Sequence, residues 1–478
     1  MEKKFFNIEN LIVGSGAGGS TVAYELMKLG KEALILEEGE NVLDMDFSNI
    51  GRSISRIYKN NGVTPIISSN GGPIIGYGQG CCVGGSTFVN AGYFSTTPEW
   101  VFEEWVRNNK TLMKYNDFKS LINEIRDEIT INTEDLSNID GDSKLLLDIS
   151  NKNNLKIEKC ERFSSGIKGN SKNSMNNSYH KELLKKDIKI LENSKVVKII
   201  SKGRRASQVK VFNTKNKELF DIKFKNLFIN CGPISTPHLL IKNNLIKYNL
   251  NQNNFKFHIN FRILVKFKKN INFNFNKNYN PEAPVSIYFL REFEKEGVLI
   301  SAANSELPYL LATASHFGNN ILEDINKNFS QYAMYIYQIK SFSKGQVKNF
   351  LNNPYVDYKF SSLDINQLKK AIFRCSKIFL SADTEFVLFP VENSKPIRSQ
   401  KDSINLSDNL NFKKLHLISV HGMSSLSPGE QNSLTEFSGK LKNFDNIYVN
   451  DASILPDNTG ESPQASIMAF AKHSLSLV

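Results

Sequence analysis

The stretch IVGSGAGGSTVAYELMKLGKEALILEE, residues 12–38, constrains the fold more than any other part of this chain. An apolar run (Leu11, Ile12, Val13) enters Gly14-Ser15-Gly16-Ala17-Gly18-Gly19. A helix-like segment follows, and a second apolar run over 33–36 ends at Glu37 and Glu38. Strand, glycine turn, helix, strand and acid in that order read as a dinucleotide-binding βαβ unit. Gly14 permits the tight turn, Gly16 lets backbone approach a pyrophosphate, and Gly19 lets the helix pack on the strand. The phosphates are expected at the helix N-terminus, where free N–H groups and the helix dipole favour anions. Glu37 lies 23 positions beyond Gly14, near the ~20 expected of the acid that holds a ribose hydroxyl. Glu38 is the neighbour able to take that role instead. An acid here argues against a 2′-phosphorylated cofactor but leaves FAD and NAD both open.

Composition bounds the rest. A chain of 478 residues holds two or three domains' worth of core. The formal charge of +12 comes from Lys and Arg spread along the chain. No basic element is interleaved with aromatics, so no nucleic-acid surface is expected. The excess of cations mildly favours anionic substrates or surfaces. Five cysteines (Cys81, Cys82, Cys160, Cys231, Cys375) show no metal-ligand spacing. They read as reduced thiols of a cytoplasmic protein, and no metal is expected. The first strand begins ten residues from Met1, so no cleavable signal peptide is expected. No apolar run approaches ~18 residues, so no integral membrane segment is expected.

Along the chain, residues 112–150 and 364–382 read as amphipathic helices, and residues 151–177 as polar loop. Residues 188–230 contain short strands. Residues 255–340, rich in aromatic and β-branched side chains, fit an antiparallel sheet. Strand character returns at NIYVND, and a helix closes the chain from Pro463. The expected fold is an α/β, Rossmann-like dinucleotide-binding domain with a second α+β domain built on an antiparallel sheet. The first is discontinuous: residues 1–40, 70–98, 185–245 and 436–478. The substrate domain takes 41–69, 99–184 and 246–435.

Four blocks together resemble the glucose–methanol–choline (GMC) oxidoreductase family, and the resemblance implies that the first domain is an FAD-binding domain of the glutathione-reductase type. The blocks are the βαβ unit; GYGQGCCVGGSTFVNAGYFSTTPEW at 76–100; NCGPISTPHLL at 230–240; and SVHGMSS at 419–425 followed by NIYVNDASILPDNTGESPQASIMAFAKH at 446–473. Gly84 and Gly85 allow backbone to pass close to pyrophosphate and flavin. The resemblance implies that Asn90, Ala91 and Gly92 lie beside the reactive edge of the flavin. It also implies that Val196 recognises adenine through its backbone, and that Asp451 approaches the FAD sugar or ribityl chain. Pro463 suits a first helical turn. That helix N-terminus, with Ser462, Gln464 and Ala465, is expected to point at the flavin pyrimidine and stabilise negative charge there. Family members that bind flavin covalently use a His just before the signature Asn. That position is Val89, so noncovalent FAD is expected.

Alcohol oxidation needs a base for the hydroxyl proton, and histidine suits it. Seven histidines are candidates: His180, His238, His258, His316, His416, His421 and His473. The resemblance selects His421, in a segment where Ser424 replaces the family's Gly. His416 is expected to be a satisfied strand residue and His473 peripheral. Opposite the base the family carries His or Asn; the matching position is Ser462, which donates a hydrogen bond but is no base at neutral pH. Neighbouring Glu461 is expected either to carry a desolvation cost or to bind a cationic group of the substrate. The expected reaction is oxidation of a CH–OH group, with a sugar or amino-sugar alcohol favoured by the polar composition. Alternatives are a long-chain or sterol alcohol, whose enzymes share the Thr97-Pro98…Val101…Trp105 pattern, and a non-redox lyase or decarboxylase of the same fold. The partners expected are the small-molecule alcohol and an electron acceptor: oxygen, a quinone or a protein.

Overall fold

A computed structural model describes residues 6–47, 49–133, 141–165, 172–247, 254–271, 285–303 and 305–478. Its first sheet is built around β1 (Phe6–Val13) and β2 (Ala33–Leu36), joined by α1 (Ala17–Lys28). Leu11, Ile12, Leu34, Ile35 and Leu36 are all buried, the continuous apolar run of a parallel strand covered on both faces. β3 (Lys189–Leu191) pairs beside β2, and β6 (Leu219–Ile229) runs parallel to β1 on its other side. The N-terminal half of β6 continues into a meander with β4 (Ser194–Lys202) and β5 (Arg205–Asn213). Its C-terminal half pairs in parallel with β10 (Ile447–Val449).

This topology gathers four distant segments. Gly14, Glu37, Asn230 and Asn450 each follow directly on a parallel strand, so all emerge at one carboxyl edge, where open α/β sheets bind ligands. Gly14 N–H donates to Leu36 O at 2.8 Å, and Asn230 N–H to Val13 O at 2.7 Å, which fixes the edge. The closing helix α2 (Gln464–Ser476) packs on α1 and on helix Tyr115–Glu128.

The second sheet, of twelve strands among the described residues, is centred on β7 (Lys256–Phe267). One edge of β7 pairs antiparallel with β9 (Tyr332–Lys340), which pairs in turn with β8 (Val298–Ala302). Its other edge meets Thr384–Leu388, Leu417–Ser419 and Gly422–Met423. Side chains alternate along β7. Phe257, Ile259, Phe261, Ile263 and Val265 enter the largest apolar core, under helix Ser362–Phe379. His258, Asn260 and Arg262 share the opposite face.

The residue pattern falls short in three places. Helices Leu307–Ala314 and Asn319–Asn328 interrupt the stretch read as continuous sheet. The helix read over 112–150 is two, Tyr115–Glu128 and Gly141–Lys152, with residues 134–140 outside the described ones. Strand Ile75–Tyr77, assigned to the cofactor domain with 70–98, runs in the larger sheet between Thr64–Ser68 and Leu417–Ser419. Its own three residues carry no signal of their partners, which lie far off in sequence. Among the described residues no helix is long and apolar enough to cross a membrane.

Candidate active site

The glycine turn after β1 meets the second glycine segment directly. A Cβ on Gly85 stands 2.9 Å from Gly16 Cα, and Gly84 N–H donates to Ser15 Oγ at 3.0 Å. Gly14 has φ +104°, and a Cβ there lies 2.3 Å from Asn230 O, so both its conformation and its space demand glycine. Gly19 serves helix packing as expected: its Cβ position is 2.0 Å from Gly14 O. Neither Gly19 nor Gly84 borders the cavity described next; they shape the loops that do.

That cavity, of about 460 Å³, runs from the glycine turn to the second sheet. Gly14, Gly16, Glu37, Val196, Gly85, Asn90, Ala91, Gly92 and Asp451 border it. Ser462, Pro463, Gln464 and His421 border it as well. The Glu37 carboxylate accepts from Ser15 N–H (3.0 Å), Ser15 Oγ–H (2.7 Å) and Gly39 N–H (3.0 Å). That leaves one of about four acceptor sites for a sugar hydroxyl. Burial raises its pKa against these three donors. Glu38 is otherwise engaged. Burial raises its pKa, but Lys59 and Lys195 outweigh it and hold the group down to about 2, with Lys195 Nζ at 2.7 Å. Asp451 ties β10 to the β6 turn, accepting from Gly232 N–H and Thr236 Oγ–H, both at 2.6 Å.

The segment 88–92 is held from beneath by two buried cations absent from the sequence reading. Lys172 Nζ donates to Phe88 O and to Asn90 O (2.9 Å), and Arg162 Nε to Ala91 O at 2.9 Å. Asn90 Nδ2 donates to Gln464 Oε1 at 2.7 Å, joining this segment to the N-terminus of α2. Backbone dipoles of that helix are therefore aimed at the cavity.

His421 is half-buried, with its Nδ1 3.0 Å from Nδ1 of His258, which is fully buried. The rings meet at 84°, and His258 N–H donates to His421 O at 3.2 Å. Two imidazoles sharing one proton between their Nδ1 atoms leave His421 Nε2 for the cavity. Burial lowers the His421 pKa to about 4; burial and the neighbouring His421 lower that of His258 further. The neutral pair is the resting form at neutral pH. Beside it, Asn260 lines the cavity with a buried Oδ1 that has no partner among the described residues.

Glu461 does not border the cavity and is ion-paired with Arg291, so it does not bind a cationic substrate group. His416 is exposed and stacks on His316, with centroids 4.0 Å apart, rather than being a satisfied strand residue. His473 lies away from the cavity. Ser424, at the family's Gly position, has φ +66° and a buried Oγ without a partner among the described residues. Ser424→Gly is expected to raise stability by about 1 kcal/mol by relieving the left-handed backbone. A higher midpoint in a thermal melt of the holoprotein checks it.

A cavity bordered both by the glycine turn and by an imidazole meets the needs of a hydride-transferring flavoenzyme. The residues present fit FAD: a Cβ on Gly16 meets nothing nearer than Gly85 Cα at 4.0 Å, so the cradle is open at the expected pyrophosphate position. Models of the GMC oxidoreductase family match residues 8–259 and 342–471, and the chain belongs to that family. It is an FAD-dependent oxidoreductase acting on CH–OH donors. An uncharacterized GMC-type oxidoreductase of Sinorhizobium fredii is 24% identical, over 96% of this chain and 92% of that protein. A long-chain-alcohol oxidase of Arabidopsis thaliana is 21% identical, over 96% and 67%. Among solved structures, pyridoxine 4-oxidase from Mesorbium loti superposes with a TM-score of 0.75 at 16% identity, covering 98% of both chains. Formate oxidase of Aspergillus oryzae, in an R554K variant, gives 0.76 at 14%, covering 99% and 98%.

Proposed function

We propose that the chain oxidises a polar alcohol to its carbonyl compound, with His421 Nε2 taking the hydroxyl proton. Bound FAD supplies the hydride acceptor. The observation that carries this reading is the His258–His421 contact at the cavity. His421 in the tautomer that donates from Nδ1 presents the lone pair of Nε2 to substrate, and the buried His258 holds that ring orientation. Ser462, which borders the same cavity, offers a hydroxyl to the substrate.

In this reading Gly14, Gly16, Gly85, Glu37, Val196 and Asp451 hold the nucleotide, and Asn90, Ala91, Gly92, Pro463 and Gln464 hold the flavin without a covalent bond. Gly19 and Gly84 keep the two loops in place. Residues 1–40, 78–98, 185–245 and 436–478 form the cofactor domain. The five free cysteines support a reducing, cytoplasmic setting. Asn260, Gln338 and Ser301 on the substrate wall support a polar alcohol, sugars included, while the engaged Glu461 speaks against an amino sugar. Phe289, Leu299 and Ile336 on the same wall, with the long-chain-alcohol oxidases among the relatives, support an apolar chain as the second reading.

Anaerobic titration of the purified yellow protein with a panel of alcohols tests the proposal. Flavin bleaching is expected. A flavin that no alcohol bleaches favours a non-redox lyase or decarboxylase. Aerobic turnover against turnover with quinones or an electron-carrier protein then identifies the acceptor. The low pKa of the base has its own consequence: only neutral His421 accepts a proton, so the rate of flavin reduction rises as pH increases through about 4. From pH 6 to 8 the rate is expected to be level. An acid limb near ~6.5, the value of an unburied histidine, contradicts the lowering by burial and leaves the identity of the base to the His421→Ala variant.

A further inference from the structure

Lys172 and Arg162 are buried cations, 1% and 0% exposed, and neither borders the cavity. Backbone pairing fixes both against the segment that does. Phe163 N–H donates to Gly92 O at 2.8 Å, Tyr93 forms a β-bridge with Arg162, and Ser164 forms one with Lys172. Both side chains then turn on carbonyls of that one short segment: Lys172 Nζ on Phe88 O and Asn90 O, Arg162 Nε on Ala91 O.

The far ends of these peptides matter. A trans peptide is planar, so its N–H points opposite to its carbonyl. The Asn90 carbonyl faces Lys172; the N–H of Ala91, at the other end of the same peptide, therefore faces away from the cation. Ala91 borders the cavity, and its N–H has no partner among the described residues. The next peptide differs, because Gly92 N–H donates to Asn90 Oδ1 at 2.9 Å. Hydrogen bonds linked in a chain polarise one another in a low dielectric, and an ionised member strengthens them. The Ala91 N–H is thus a donor open to the cavity with a cation bonded to the carbonyl behind it.

We propose that Lys172 and Arg162 raise the reduction potential of the bound flavin. They are positioning residues, acting through the peptides of 88–92 without touching cofactor or substrate. The proposal rests on the reading that Asn90, Ala91 and Gly92 hold the flavin. The alcohol gives its hydride to the flavin and its hydroxyl proton to His421. The flavin so gains two electrons with only one proton, and negative charge builds on it. A fixed N–H dipole with a cation behind it favours that charged form over the oxidised one.

The test reads the midpoint potential of the FAD-loaded protein, by anaerobic equilibration with a reference dye and with no alcohol present. Lys172→Gln and Arg162→Gln each keep a side-chain N–H donor and drop the charge. Each is expected to weaken the reduction equilibrium about tenfold, a fall of about 30 mV for a two-electron couple. Lys172→Arg keeps the charge and is expected to stay within about threefold of the native equilibrium. Sulfite, which adds to oxidised flavin and leaves negative charge on it, is expected to bind each Gln variant about tenfold more weakly. Unchanged potentials and sulfite affinities in the FAD-loaded Gln variants overturn the proposal. So does an equal fall in Lys172→Arg, which shows that packing and not charge is at work. Should neither Gln variant hold FAD, the native protein decides: its flavin is expected to have a higher potential than free FAD, and a lower one overturns the proposal. Anaerobic bleaching by alcohols is scored separately. It can persist while the potential stays unmoved in the variants, which rejects the tuning role and leaves the alcohol reading standing.

Discussion

His421→Ala is expected to retain FAD and to reduce it with substrate on the order of 10²–10⁴ times more slowly, the contribution of a positioned general base. The imidazole is available to substrate through one nitrogen only, because His258 occupies the other at 3.0 Å. Removing the ring removes the proton acceptor but leaves the glycine loops, Glu37 and the N-terminus of α2 intact, so flavin content is unchanged. The backbone bond from His258 N–H to His421 O also survives, since it does not involve the deleted ring. The loss is expected in the rate of flavin reduction at saturating substrate rather than in the substrate dependence, because proton transfer is a transition-state interaction. Rapid-mixing measurement of anaerobic flavin bleaching checks this. Near-normal reduction in the variant transfers the role to another group and removes the observation on which the proposed function stands.

How much of this was legible in the sequence differs by element. The glycine turn was readable because its requirements belong to single positions. Gly14 needs positive φ and Gly19 needs the absence of a Cβ, and each leaves its mark in one residue. The base was readable only through the family pattern in 419–425. His258 was one of seven histidines with nothing to distinguish it, because its meaning comes from a neighbour 163 positions away that is brought close by pairing of Gly422–Met423 with β7. The same holds for Lys172 and Arg162, whose partners are carbonyls of 88–91, and carbonyls carry no sequence signal. The alternation His258, Asn260, Arg262 against Phe257, Ile259, Phe261 was written in the chain all along. It takes on chemical meaning once one face of that strand is known to border a cavity and the other an apolar core. Glu461 shows the opposite case: a charge beside the site in sequence is turned away from it by Arg291.

Gly16→Val separates cofactor binding from folding, and its expected product is a folded protein that carries less flavin. Gly16 has φ −73° and ψ −168°, extended backbone that valine adopts readily. A Cβ there meets only Gly85 Cα, at 4.0 Å, so the chain itself has room for the side chain. The methyl groups beyond Cβ project into the cavity where the pyrophosphate is expected to approach the backbone. Forcing added carbon into an occupied site costs about 1–3 kcal/mol, which corresponds to roughly five- to 150-fold weaker FAD binding. Visible flavin absorbance per protein reports the loss. Because a ligand that binds only the folded state raises its stability by mass action, added FAD is expected to raise the thermal midpoint of the native protein more than that of the variant. Gly19→Ala is the contrasting control. Its Cβ falls 2.0 Å from Gly14 O, so that variant is expected to lose stability whether or not FAD is present. A Gly16→Val protein that purifies yellow and melts like the native one removes the glycine turn from the cofactor site and with it the placement of FAD along this cavity.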